Sequence, residues 1–133
     1  FMKLRELEKL KTIFNYYSKI KLVYFFGSRA RQKEGPLSDY DFAVYLDGKN
    51  KNRMYEIKFE LIDKISRLLK TDKVDVIIMN SIKSPELKYF IVKEGILLVE
   101  KEPFKVIIEP KIFNEYFDFH KMLLKYNLTK AAV

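Results

Sequence analysis

Apolar residues recur at helical spacing from Lys3 to Ser18, at Leu4, Leu7, Leu10, Ile13, Phe14 and Tyr17, with charges between them. One stripe of that kind predicts an amphipathic helix. Lys21–Phe26 is a continuous apolar run rich in β-formers and predicts a buried strand, broken by Gly27-Ser28. A short turn of helix is expected over Arg29–Lys33, then a loop at Glu34-Gly35-Pro36-Leu37. Asp39–Leu46 predicts a second strand, ended by Asp47-Gly48. Asn52–Lys70 carries Met54, Ile57, Leu61, Ile65 and Leu68 on one face and predicts a long helix. Lys73–Met79 is β-branched and predicts a third strand. Ser84-Pro85 is a helix start, with Ser as N-cap and Pro in the first turn, and Gly95 stands where that helix should end. Ile96–Glu100 reads as a short strand, Phe104–Ile108 as an edge strand, and Lys111–Tyr126 as the last helix. The alternation predicts an α/β or α+β domain, a small mixed sheet flanked by helices. A single domain over residues 1–133 is expected, its core at about 4–100 and a helical tail at about 110–127.

Length supports one core only: 133 residues leave no room for a second. With 48% hydrophobic residues the chain can bury that core. Lys and Arg outnumber Asp and Glu by 26 to 18, a formal charge of +8, which suits an anionic partner or a solvated cationic surface. Cysteine is absent, which excludes disulfides, zinc–thiolate sites and cysteine nucleophiles. No apolar run approaches the roughly 18 residues of a membrane span. The charged amino end lacks a signal-like apolar region, so a soluble, cytoplasmic protein without a membrane partner is expected.

Three sequence features can carry chemistry. Gly27-Ser28 follows a strand and precedes a turn of helix, where free backbone N–H groups bind phosphate and a Ser hydroxyl can add a donor. Arg29 and Arg31 add charge beside it. Asp39 and Asp41 are two apart on a predicted strand, so both carboxylates share one face and Tyr40 takes the other. Two close carboxylates repel unless a cation sits between them, and Mg²⁺ prefers oxygen ligands. Asp75 lies inside an otherwise apolar strand. Each feature alone has a plainer explanation: a turn, a solvated strand start, an outward-pointing acid. If the third strand neighbours the second, Asp75 joins Asp39 and Asp41, and three carboxylates suit two metals for in-line displacement at phosphorus.

Together, Gly27-Ser28, ten residues, Asp39-x-Asp41 and a later strand Asp75 resemble the nucleotidyltransferase signature of the DNA polymerase β superfamily. The forms Gly-Ser-Arg-Ala-Arg and Ser-Asp-Tyr-Asp-Phe-Ala-Val are similar to the minimal nucleotidyltransferases, the MntA-like antitoxin partners of HEPN-domain HepT toxins. The likeness spans about Leu4 to Glu100. It implies the nucleotidyltransferase fold, a nucleoside triphosphate donor (usually ATP) and two Mg²⁺ ions. It also implies roles: Gly27 and Ser28 at the phosphates with Arg29 and Arg31 nearby, Asp39 and Asp41 as metal ligands, and Asp75 as third carboxylate and base. The family often has Gly after the second Arg, where this chain has Gln32 and Lys33.

The implied function is transfer of AMP to an acceptor hydroxyl, a tyrosine of a HEPN toxin, with the chain acting as antitoxin. Two other readings stay open: a binding module that neutralises such a toxin by contact, and a nucleotidyltransferase acting on a small molecule or an RNA end. Nucleic acid is admitted by the charge but not favoured.

Overall fold

The computed structural model describes residues 2–30 and 39–127. The elements run α1 (Leu4–Asn15), β1 (Ile20–Phe26), β2 (Tyr40–Leu46), α2 (Lys51–Leu69), β3 (Val74–Ile78), a 3-10 turn (Met79–Ser81), α3 (Pro85–Glu94), β4 (Ile96–Glu100) and α4 (Phe104–Lys125). Four strands form one mixed sheet in the order β3-β2-β1-β4. β1 pairs antiparallel with both β2 and β4, while β2 and β3 are parallel, joined through α2. This is the α+β arrangement with flanking helices that the alternation predicts. None of the described helices is long and apolar enough to cross a membrane.

Strand alternation divides the core in two. Val23, Phe25, Phe42, Val44, Val76 and Ile78 pack with α1 and α2. Leu22, Tyr24, Phe26 and Ala43 face the other way and pack with Ile91 of α3 and Ile112 of α4. The predicted stripe of α2 is buried at Met54, Ile57, Leu61 and Ile65. That of α1 buries Leu10 and Phe14 but leaves Leu4 72% exposed, so its packed stripe begins at Leu7. Asn50 caps α2 by accepting from the Arg53 N–H, and Ser84 caps α3 by accepting from the Leu87 N–H. Gly95 closes α3, its N–H donating to the Ile91 carbonyl, but with a negative φ; a Cβ there would overlap that carbonyl. Its need is space, not a left-handed turn.

One predicted element is wrong. Phe104–Ile108 is not an edge strand but the start of α4, which runs unbroken through Pro110 to Lys125. Phe104, Ile108 and Ile112, four apart, lie on one helical face against the second core. That burial overrides the β-propensity of Val106, Ile107 and Ile108. Pro110 falls on the exposed side, where the carbonyl it leaves unbonded, that of Val106, can be met by water. The helical tail therefore begins at Phe104 rather than near residue 110.

Candidate active site

The site lies at the end of the sheet where β1 leaves and β2 and β3 begin. Phe26 is opposite Asp41 in the β1–β2 ladder, and Asp41 is opposite Asp75 in the parallel β2–β3 ladder. Asp41 and Asp75 thus stand on neighbouring strands at one level of the sheet. Asp39 precedes β2 and is exposed, as is Asp75, while Asp41 is half-buried. Burial first, and then the charges of Asp39 and Asp75, push the Asp41 carboxyl up to about 6. The sequence left open whether Asp75 joins the pair; the β2–β3 register brings it there.

Gly27 ends β1 with φ +88°, a conformation L side chains rarely adopt. A Cβ on Gly27 would overlap Oδ2 of Asp41. The turn that begins with Ser28 can approach the carboxylate only because this residue has no side chain. Ser28 and Arg29 are half-buried in that turn. Arg31 and most of the predicted helical turn and loop, residues 31–38, lie outside the described residues.

Tyr40 takes the opposite face from Asp41, as alternation requires, and packs on the first core. Its ring stacks on Phe25 at 6.2 Å between centroids, and the Arg29 guanidinium lies 4.2 Å from the ring centre. Arg29 Nη1 also reaches the Tyr40 hydroxyl at 3.4 Å. The residue between the two aspartates therefore holds a cation at this end of the sheet, on the face opposite Asp41, a contact that alternation alone does not reveal.

Three carboxylates with hard oxygen donors, one of them raised by burial and then by the charge of the other two, fit a divalent cation such as Mg²⁺ by donor type and charge. Among the described residues no group of three or more His, Cys, Asp or Glu side chains is drawn together closely enough to hold an ion.

The family model described as polymerase beta nucleotidyltransferase matches residues 8–104, from α1 to the start of α4. The chain belongs to this nucleotidyltransferase family. No curated protein matches it significantly. Among solved structures, it resembles an MntA toxin–antitoxin mutant with TM-score 0.73 and 22% identity, over 94% of this chain and 95% of that one. A toxin–antitoxin with AMP-PNP gives 0.72 and 22%, with the same coverage. A tri-AMPylated Shewanella oneidensis HEPN toxin in complex with MNT antitoxin gives 0.71 and 21%, again over 94% and 95%. At such identities these likenesses establish the fold, which continues through α4.

Proposed function

We propose that this nucleotidyltransferase moves AMP from ATP to an acceptor hydroxyl, a tyrosine of a HEPN toxin, and so acts as an antitoxin. The observation that carries the reading is the level pairing of Asp41 with Asp75 beside a glycine turn that fits only without a side chain. Solved structures of similar fold, which include a tri-AMPylated HEPN toxin with MNT antitoxin and a complex with AMP-PNP, support this choice of acceptor and donor class.

Asp39 and Asp41 would hold one Mg²⁺ ion and share a second with Asp75; when bound, the ions offset triphosphate charge and favour both the attacking and leaving oxygens. The Ser28 hydroxyl and the turn's N–H groups donate to the β and γ phosphates. Arg29, held by Tyr40, adds a positive charge at the same end of the sheet. Asp75 accepts the proton of the acceptor hydroxyl. The acceptor oxygen then bonds to the α-phosphorus, the bond from that phosphorus to the bridging oxygen breaks, and pyrophosphate leaves.

The deciding experiment pairs the chain with the HEPN protein encoded beside it, if one is, and Mg-ATP. The expected result is an AMP mass gain on a partner tyrosine, lost in Asp75→Asn, which still binds the partner. Protection of cells by Asp75→Asn equal to that by wild type would replace catalysis with neutralisation by contact.

A further inference from the structure

At the other end of β2 and β3, beyond their carboxyl ends, the molecule has a second concave feature. A cleft of about 470 Å³ opens between the first two turns of α2 and residues 77–83. One wall is a single helical face of α2: Lys51, Met54, Tyr55 and Lys58. The facing wall includes Ser81, Ile82 and Lys83. Asp75 and Ile78 are three residues apart on β3, about 10 Å, so this cleft and the carboxylates occupy opposite ends of that strand.

The charge of the cleft is one-sided. Among the described residues three lysines line it and no Asp or Glu does. None of the three forms an ion pair among the described residues. Lys51 is also the first residue of the 19-residue α2, so the positive end of that helix dipole adds to theirs. The N-cap Asn50 takes up only the Arg53 N–H, leaving earlier first-turn donors for a ligand. The wall is firmly held: Asn80 accepts from the Leu46 N–H at 3.0 Å and donates to the Leu46 carbonyl at 2.8 Å, tying the end of β2 to the turn after β3. Inside the cationic rim are apolar Met54 and Ile82 and the ring of Tyr55, which is 57% exposed.

We infer that this cleft is a second ligand site, separate from the carboxylates, and that it takes a phosphate ester with a planar body, of the mononucleotide class. Lysines suit phosphate as compact point charges. Parallel strands followed by a helix N-terminus place phosphate ligands outside the strands' carboxyl ends, and β2–α2–β3 is such a unit. The cleft has the size of a small-molecule pocket, and the exposed tyrosine ring offers a face on which a base can stack. The inference does not depend on the transfer reaction.

The test uses the full chain in EDTA, titrated with AMP and separately with inorganic phosphate, followed through backbone amide shifts. AMP should move amides within residues 51–58 and 80–83, and phosphate should move the same set more weakly. Lys51→Glu with Lys83→Glu should weaken AMP about tenfold or more, two charge-assisted contacts being lost, with the strand amides unmoved. Tyr55→Leu should bring AMP down towards the affinity of phosphate, a check that does not alter charge. The inference is overturned if AMP moves only amides near Gly27 and Asp41, or none. It is overturned equally if charge reversal leaves affinity within about twofold, or if an acidic peptide displaces AMP and binds more tightly, which would make the cleft a protein-docking surface.

Discussion

Replacing Asp41 by Asn should stabilise the metal-free protein, with a pH dependence that identifies the cause. The Asp41 carboxyl is raised from 3.8 to about 6, by burial and then by Asp39 and Asp75. A rise of that size corresponds to about 3 kcal/mol of unfavourable interaction in the ionised form. Because the group is only half-buried, solvent screening brings the realised figure to about 1 kcal/mol. The folded state binds the proton more tightly than the unfolded chain, so this contribution to stability is fully present below pH 3.8 and is lost as pH rises through about 6. Asp41→Asn carries no such proton. In EDTA, urea unfolding should show the variant ahead by about 1 kcal/mol at neutral pH, and the lead should vanish as pH falls towards 4. Mg²⁺ should then stabilise wild type and not the variant, because ligand binding to the native state adds stability by mass action. A variant less stable than wild type at neutral pH, or a lead equal at both pH values, would refute the account of three mutually repelling acids.

Gly27→Ala should cost about 1–2 kcal/mol through its positive φ and displace the Asp41 carboxylate, so thermal unfolding and nucleotidyl transfer should both fall; unchanged transfer would show that the close approach of turn and acid is dispensable. Ser28→Ala should weaken binding of a non-hydrolysable ATP analogue with Mg²⁺ by about 1.5–3 kcal/mol, one hydrogen bond to a charged group, measured by calorimetry; unchanged affinity would leave Gly27-Ser28 as a turn only. Tyr24→Phe removes the hydroxyl that a buried ring donates to Glu109 of α4, and should lower unfolding free energy by about 1.5–3 kcal/mol; denaturation unchanged within error would mean that the helix is held by its apolar face alone.

Which parts were legible follows from the range of the forces involved. Ser84 caps its helix within three residues of itself, and the stripe of α2 repeats every turn, so short stretches of chain carried those elements, whereas the Asn50 cap, which starts α2 at Lys51 rather than Asn52, was missed. Asp39 and Asp41 were readable because alternation places them relative to each other without any partner strand. Asp75 was readable from its own stretch of chain only as an unusual acid, its role as third carboxylate coming from the family resemblance, since its arrival beside Asp41 depends on the parallel β2–β3 register, set by the whole α2 crossover. Phe104–Ile108 misled because three β-branched residues in a row favour a strand locally, while the partners that make it helical, such as Tyr45 at 6.1 Å from Phe104 between ring centroids, lie far off in sequence. Tyr24 with Glu109 and Tyr40 with Arg29 are likewise contacts of the folded chain, with no signature in neighbouring residues.

Among the described residues β3 is an edge strand, with a hydrogen-bonded neighbour on one side only. The three acids are therefore anchored unequally. Asp41 belongs to an interior strand held from both sides, and Asp39 precedes it directly, whereas Asp75 rides on a strand paired along one edge. An opening of β3 that leaves β1, β2 and β4 paired would withdraw the third acid alone, keeping the first two in place. Amide exchange at Val74–Ile78 faster than at Tyr40–Leu46 would be the mark of that hierarchy. In such a molecule the free energy of detaching one strand sets how often the acid triad is incomplete, and anything that lies against the outer side of β3 becomes a means of completing it.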